Sequence, residues 1–315
     1  MVCSVPDEKQ HGADGEGVTI RDGKVFTCGD DGKVKFVRPK ALGPLPEPDV
    51  EAVIIHNQRV LTCSDAGKVK IFDMDLKLIQ EFKAHDYAVY DVLVFNNTLF
   101  TCCIDSTIKT WDVNTLEHKN TIQKHEEAVR KLCTNGKLVF AGDEKGEVRG
   151  YTEDGVLSVW YGVVEEVWGL YAKDDLLFSI RDRGLTIQQV KGEDNKFAHL
   201  KSIDGRAPIY AHGEWLVFPD TPGMTLQVFD NNKNTQFALK GEMKGHEMII
   251  TAIGGWGDHL LSAGWDSELR LWDLKKLSEL SKCKLPDVPN AIAATDQGEI
   301  FVVGVGGYIC KLKAT

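Results

Sequence analysis

Two sets of residues have the side-chain types that nucleophilic catalysis uses. A histidine is followed by a hydroxyl residue, an aspartate and a tryptophan at identical spacing in His85, Thr101, Asp105 and Trp111 and again in His246, Ser262, Asp266 and Trp272. A serine, a histidine and a carboxylate can together produce a nucleophile. However, the set occurs twice and one copy has threonine in place of serine. We therefore assign no catalytic residue and expect both sets to be structural.

Other motifs of catalysis or of cofactor binding are missing from the sequence. There is no GxxxxGK[ST] phosphate loop and no HExxH, and Gly304, Gly306 and Gly307 lie in a predicted hairpin turn. The eight cysteines form no CxxC pair and no cluster with zinc-ligand spacing. We expect reduced, buried thiols, no cofactor, no metal and no enzymatic activity.

The charge balance limits the classes of partner. The formal net charge is −10 and the sequence contains no basic patch, which disfavours binding to nucleic acids or to anionic membranes. No signal peptide is evident, and apolar runs such as residues 300–303 are too short to cross a bilayer. We expect a monomer that is not inserted in membranes and is located in the cytoplasm, with the nucleus as an alternative.

One pattern recurs along the whole chain: an apolar strand, a tight polar turn and an alternating strand that ends in a bulky residue. Eight such hairpins align at residues 25–37, 60–73, 99–112, 138–152, 176–190, 215–230, 259–273 and 299–313. The bulky residues are Val37, Phe72, Trp111, Tyr151, Gln189, Phe229, Trp272 and Leu312, with spacings between 35 and 43. A period near forty is typical of one four-stranded blade of a β-propeller.

The remaining strands of each blade can also be located. An apolar strand precedes each hairpin, most clearly at residues 89–95, and would be the innermost strand. The segment VCSV (residues 2–5) could supply the outermost strand of the last blade and close the ring. The sequence thus predicts an all-β fold in which residues 1–315 form a single closed propeller of four-stranded antiparallel blades. We expect eight blades, with seven as the alternative.

Two segments resemble the repeats of the WD-repeat family. GHEMII…LLSAGWDSELRLWD (245–273) carries the Gly-His and Trp-Asp pairs of that family, and KAHDYAV…LFTCCIDSTIKTWD (83–112) is similar. The resemblance implies that each His, Ser/Thr, Asp and Trp set braces its blade as a buried hydrogen-bond network.

His125 departs from this pattern. The aligned hydroxyl and carboxylate positions hold Ala141 and Lys145, and Tyr151 replaces the tryptophan. We therefore expect a partly exposed loop histidine that lacks bracing partners, with a pH-dependent role through free titration near neutral pH as the alternative.

The resemblance also implies which surface binds partners. Propellers of this family bind on the face that carries the turns before the inner strands and inside the central hairpins. Aligned positions on that face are Glu51, Tyr90, Ile104, Arg130, Glu144, Glu166, Trp168, Asp182, Tyr210, Ile249 and Trp265. Trp265 is the strongest candidate because strand alternation does not require its burial. For Trp168 and Tyr90, packing in the channel wall is an equal alternative.

These features favour a non-catalytic scaffold or adaptor that binds proteins or peptides. The acidic members of the rim would favour partner segments that carry Lys or Arg. One alternative is a substrate receptor of a cullin-type ubiquitin ligase, because LLSAGWDSELRLWDLK resembles the motif by which some WD-repeat proteins dock on cullin-ligase adaptors. That motif has Arg where this chain has Lys275, and lysine lacks the planar guanidinium group. The other alternative is a propeller enzyme with an organic cofactor.

Overall fold

The structure is a computed structural model built almost entirely from β-strands. It describes residues 3–4, 15–21, 24–29, 33–36, 50–73, 77–123, 125–162, 167–181, 183–191, 196–305 and 309–313. Within these residues the strands form eight antiparallel sheets, which are the blades. Seven blades have four strands, and three strands of the first blade are described.

The first four blades follow one another along the chain. Blade 1 contains β2 (Gly15–Arg21), β3 (Lys24–Gly29) and β4 (Lys33–Phe36). Blade 2 contains β5 (Val50–His56), β6 (Arg59–Ser64), β7 (Lys68–Asp73) and β8 (Leu78–Lys83). Blade 3 contains β9 (Val89–Phe95), β10 (Thr98–Cys103), β11 (Ile108–Asp112) and β12 (His118–Ile122). Blade 4 contains β13 (Val129–Thr134), β14 (Val139–Asp143), β15 (Glu147–Tyr151) and β16 (Leu157–Gly162).

The last four blades repeat the arrangement. Blade 5 contains β17 (Gly169–Lys173), β18 (Leu176–Ile180), β19 (Gly184–Lys191) and β20 (Lys196–Asp204). Blade 6 contains β21 (Tyr210–His212), β22 (Trp215–Pro219), β23 (Thr225–Asp230), a short 3₁₀ helix (Lys233–Thr235) and β24 (Leu239–Lys244). Blade 7 contains β25 (Ile250–Trp256), β26 (His259–Gly264), β27 (Glu268–Asp273) and β28 (Ser278–Lys284). Blade 8 contains β29 (Pro289–Ala294), β30 (Glu299–Gly304), β31 (Ile309–Lys313) and β1 (Cys3–Ser4).

The two ends of the chain meet in blade 8. β1 pairs antiparallel with β31, and Cys3 lies opposite Lys311. This is the pairing that we predicted for the N-terminal segment, and the count of eight sheets agrees with the predicted number of blades. The predicted innermost strand at residues 89–95 is confirmed as β9.

Burial differs between the strands of one blade. All six residues of β10 are buried, whereas β8 and β28 are mostly exposed. Because each blade packs between two others, its central strands are covered on both faces and are apolar on both faces. The outermost strand has a free edge and carries charged residues, which oppose pairing with another chain.

The core consists of apolar layers between successive blades. Blades 5 and 6 share one layer, in which the Phe178 and Phe237 rings meet edge-on with centroids 6.1 Å apart. A further layer joins blade 8 to blade 1 through Phe301, Val303 and Val25. Each blade therefore contacts the next one, and the last contacts the first.

For the bulky residue that ends the third strand of blade 5, the sequence alignment predicted Gln189, but the structure places Gln188 there. A β-bulge immediately precedes Phe72, Trp111, Tyr151, Phe229 and Trp272, and the equivalent bulge in blade 5 precedes Gln188. Gln188 is buried, whereas the predicted Gln189 is half-buried and donates to Asp175. The turn between β18 and β19 is one residue shorter than the turn of blade 4, which shifts the register.

Candidate functional site

In blade 7 the four predicted residues form one hydrogen-bonded chain. The Trp272 indole N–H donates to Ser262 Oγ at 2.8 Å, and Ser262 Oγ lies 2.7 Å from His246 Nε2. His246 Nδ1 lies 2.8 Å from Asp266 Oδ2. Because the carboxylate accepts at Nδ1, that nitrogen carries the imidazole proton and Nε2 accepts from the serine hydroxyl. The indole N–H, the serine hydroxyl and both imidazole nitrogens of this set each have a hydrogen-bond partner.

Blade 3 has the same chain with one additional member. Trp111 Nε1 donates to Thr101 Oγ1 at 3.1 Å, and Thr101 Oγ1 lies 2.8 Å from His85 Nε2. His85 Nδ1 lies 3.6 Å from Asp105 but 3.2 Å from the hydroxyl of Thr107, which donates to Asp105 at 2.6 Å. Sequence reasoning missed Thr107, although a hydroxyl residue two positions after the turn aspartate was a visible signal.

These two sets are suited to bracing rather than to acid–base chemistry. Burial lowers the pKa of His85 to about 4 and also lowers the pKa of His246. Both imidazoles are therefore neutral at pH 7 and poor proton acceptors. Ser262 and Thr101 are fully buried and already hold an indole N–H, so that their oxygens do not face a substrate.

Two parts of the expectation for His125 in blade 4 are wrong: its partial exposure and its lack of a bracing partner. His125 is buried, and its Nδ1 lies 2.8 Å from Asp143 Oδ2. Asp143 Oδ1 accepts from the backbone N–H of Glu147, as Asp105 accepts from Thr107 and Asp266 from Glu268. Asp143 is two residues before the aligned position. From the end of β14 it supplies the carboxylate that Lys145, in the following turn, does not.

Blade 4 nevertheless lacks the central hydroxyl. Ala141 lies where Thr101 and Ser262 lie in the complete blades. His125 Nε2 and the Tyr151 hydroxyl are buried and make no hydrogen bond within the described part of the chain. In blades 3 and 7 the imidazole Nε2 and the indole N–H both bond one hydroxyl oxygen, and blade 4 has no such oxygen for His125 and Tyr151.

Two groups of side chains have donor atoms close enough to hold a metal ion. They are His85, Cys103 and Asp105 in blade 3 and His125, Asp143 and Glu147 in blade 4. In blade 4, His125 and Asp143 are already hydrogen-bonded to each other, and the Glu147 carboxylate pairs with Arg149 at 2.6 Å. Burial raises the pKa of Cys103 to about 12, which opposes the thiolate that a metal requires. These donors therefore fit a bracing network better than a metal centre.

One face of the propeller concentrates the exposed apolar side chains of the loops. We call it the loop face, formed by the loops that lead into the inner strands and by the turns between the second and third strands. Its large exposed apolar residues are Tyr87, Ile104, Trp168, Met224, Met248 and Trp265. Among the described loops of the opposite face, Val156 is the one such residue. The asymmetry marks the loop face as the candidate binding surface.

A cavity of about 530 Å³ opens on the loop face. Trp168 and Trp265 line it and are 43% and 51% exposed, and Ile249 lies between blades 6 and 7. The Trp265 backbone N–H donates to the Ile249 carbonyl at 2.9 Å, and Trp168 N–H donates to the Ile180 carbonyl at 3.1 Å. Three predicted residues are therefore brought together, each on a turn fixed by a backbone hydrogen bond.

Other predicted residues form a separate group on blades 2 to 4. The Arg130 guanidinium lies 4.1 Å from the centre of the Tyr90 ring and 2.6 Å from Glu144. Glu51 is exposed on β5, and Ile104 is exposed at the turn of blade 3. In this group the charges of the arginine and of Glu144 neutralise each other.

Among the described residues, one predicted residue lies outside both groups. Tyr210 is half-buried, its hydroxyl makes no hydrogen bond in the described part of the chain, and burial raises its pKa to about 12. Glu166 and Asp182 lie outside the described residues. Conversely, Lys131 and Arg206 line the cavity and were missed. The sequence signal for Arg206 was its place in a loop that leads into an inner strand, as for Trp168.

Eight antiparallel sheets that pack face to face in succession define a β-propeller. The computationally designed Ika8 protein has the same fold, with a TM-score of 0.87 and 17% identity over 99% of this chain and 98% of that protein. In the described residues, no helix has the length and apolarity to cross a bilayer.

The repeats identify the kind of propeller. The family described as "WD domain, G-beta repeat" matches residues 76–112 and 237–273, which contain the two complete hydrogen-bonded sets. The chain is therefore a β-propeller in which these two segments are WD repeats.

Two curated relatives share part of the sequence. They are the nuclear distribution proteins PAC1 of Zygosaccharomyces rouxii, 24% identical over 63% of this chain, and of Candida glabrata, 25% identical over 64%. The matched regions are 45% and 44% of those proteins, so the chain spans less than half the length of the relatives that it matches.

Proposed function

We propose that this propeller is a protein-interaction adaptor that binds its partner on the loop face, with Trp168 and Trp265 as the anchoring side chains. The observation that carries the proposal is the cavity in which both indoles are exposed. Tryptophan is enriched among the residues that dominate binding energy at protein interfaces. The complete hydrogen-bonded sets support a bracing role for the residues that most resemble a catalytic triad.

The experiment compares affinity capture by the wild-type protein and by three variants. Trp265→Ala and Trp168→Ala remove the anchors, and Val156→Ala removes an apolar residue of the opposite face that is more exposed than either tryptophan. We expect both tryptophan variants to lose at least one captured protein by about tenfold, because a hot-spot residue contributes about 1.4 kcal/mol or more. Val156→Ala should retain it.

Each variant must first unfold at the same urea concentration as the wild type. If the tryptophan variants capture the same proteins as the wild type, the loop face is the wrong surface. If the wild type captures no defined protein, the adaptor function itself is contradicted.

The structure offers no observation that favours a substrate receptor of a ubiquitin ligase. Lys275 pairs with Asp258 on the face opposite the cavity, and a lysine lacks the planar fork of the arginine in the docking motif.

A further inference from the structure

The charged residues of the cavity suggest the chemistry of its occupant. The cavity lies across four blades, with lining residues from blade 4 to blade 7. Its described apolar lining consists of side chains such as Leu170, Pro208 and Ile209 besides the two tryptophans. Its described charged lining consists of Lys131 and Arg206. Both of these side chains are cationic, although the whole chain carries a net charge of −10.

The position of Arg206 is fixed by its surroundings. Its side chain lies against Gly223 in the hairpin turn of blade 6, where an added Cβ would be 2.9 Å from Arg206 Cδ. Gly223 has a φ of +86°, which favours glycine and keeps this space open. The carboxylate of the same turn, Asp220, accepts the backbone N–H groups of Gly223, Met224 and Thr225.

Lys131 extends from the inner strand of blade 4 and is exposed. The nearby carboxylate of Asp91 belongs to the wall between blades 3 and 4, where it accepts the backbone N–H groups of Val92 and Leu132. Burial raises the pKa of Asp91, and Lys131 opposes part of that rise. The lysine is thus the group that faces the cavity, while the carboxylate lies in the wall behind it.

We infer that the cavity binds an extended segment of a partner protein that inserts an apolar side chain between Trp168 and Trp265 and places a carboxylate beside Lys131 or Arg206. This inference rests on the proposed function, and it replaces the Lys- or Arg-bearing partner that the rim composition suggested. An apolar pocket of about 300–1,000 Å³ with a few convergent polar groups is typical of ligand sites, and this cavity lies within that range. Complementary charge then selects among apolar segments.

The test selects a phage-displayed library of random twelve-residue peptides on the immobilised wild-type chain. Peptides that also bind Trp265→Ala are discarded. We expect the retained peptides to be enriched in Asp or Glu next to Leu, Ile, Phe or Met. The most enriched peptide is then synthesised with a fluorescent label, and its Kd is measured by anisotropy.

Three charge variants localise the contact. Lys131→Gln and Arg206→Gln should each weaken binding of the acidic peptide by about threefold to fivefold, in keeping with a partly exposed ion pair. Lys137→Gln is the matched control, because Lys137 is an exposed lysine of the same blade on the opposite face. It should leave the Kd unchanged. Lys131 is exposed, so its substitution leaves the fold intact and the result does not depend on Arg206→Gln alone.

The outcomes separate the inference from the proposed function. If the retained peptides are basic or uncharged, the proposed tryptophan anchors are supported and the proposal of an acidic partner segment is contradicted. Equal binding of the acidic peptide to Lys131→Gln, Arg206→Gln and the wild type would also contradict the acidic partner segment and leave the tryptophan anchors supported. If no peptide depends on Trp265, both the inference and the docking site on the loop face are overturned.

Discussion

Blades 7 and 4 both hold a buried histidine at their centre, but only blade 7 provides a hydrogen-bond partner for both imidazole nitrogens. In blade 7 one serine oxygen joins an indole N–H to an imidazole, and an aspartate holds the other imidazole nitrogen. In blade 4 an aspartate from a different position holds the imidazole, but Ala141 supplies no oxygen. The comparison shows that the carboxylate can come from a different sequence position, because within this set it bonds only the imidazole Nδ1. The central hydroxyl has no such substitute, because one oxygen must bond both the imidazole Nε2 and the indole N–H.

Ser262→Ala should have the largest effect, since it gives blade 7 the defect of blade 4. It leaves Trp272 Nε1 and His246 Nε2 buried without a partner, at a cost of about 3 kcal/mol in the free energy of unfolding. Urea unfolding followed by tryptophan fluorescence measures the loss. A loss below about 0.5 kcal/mol, the size of an ordinary surface substitution, would contradict the role given to the hydroxyl.

Asp143→Ala should cost about 2 kcal/mol, because it removes the acceptor of His125 Nδ1 and of the Glu147 N–H group. Lys145→Ala is the control, since Lys145 is the residue that sequence alignment places at the carboxylate position and it is exposed. Its effect should be within about 0.5 kcal/mol. Equal losses in the two variants would mean that Asp143 does not act as the substitute carboxylate.

Acidification tests the histidine of blade 3. Its folded-state pKa is lowered to about 4 from 6.5, so the unfolded chain binds this proton first. The associated stability is therefore complete above pH 6.5 and is lost as the pH falls toward 4, by about 2 kcal/mol between pH 7 and pH 5. Unfolding midpoints across this range should fall steeply in the wild type and less steeply in His85→Gln. Parallel pH profiles would show that burial does not keep His85 neutral.

Ala141→Ser should have the smallest effect and the opposite sign. The added hydroxyl can reach the His125 imidazole and the Tyr151 hydroxyl, and a gained hydrogen bond contributes about 1 kcal/mol. Ala141→Cys has nearly the same volume but a weak donor, and it should gain less. If both variants are destabilised, the space beside Ala141 is too small for the hydroxyl that blades 3 and 7 contain.

The eight-bladed fold was predictable because each blade repeats one hairpin, and alternation and spacing are local properties of the sequence. The details that depend on turn geometry were not. Asp143 was missed because the alignment assumed that the carboxylate follows the turn, and Gln188 was missed because one turn is a residue shorter.

The candidate site was predictable only in part, for a related reason. Trp168, Ile249 and Trp265 could be assigned from their positions within single blades, and the structure brings them to one cavity. Lys131 and Arg206 belong to the cavity because blades 4 and 6 flank blade 5. Proximity between blades arises from the curvature of the ring, which no single repeat encodes.

The pairing of β1 with β31 also constrains the order of events during folding. Joining Cys3 to Lys311 closes a loop of about three hundred residues, which costs roughly 5 kcal/mol in chain entropy. A two-residue strand cannot offset that cost by itself, so the preceding blades must first bring the chain ends together. During synthesis, β1 gains its partner only after Cys310 and Lys311 have been made, and its pairing is therefore a late event that follows formation of the other blades.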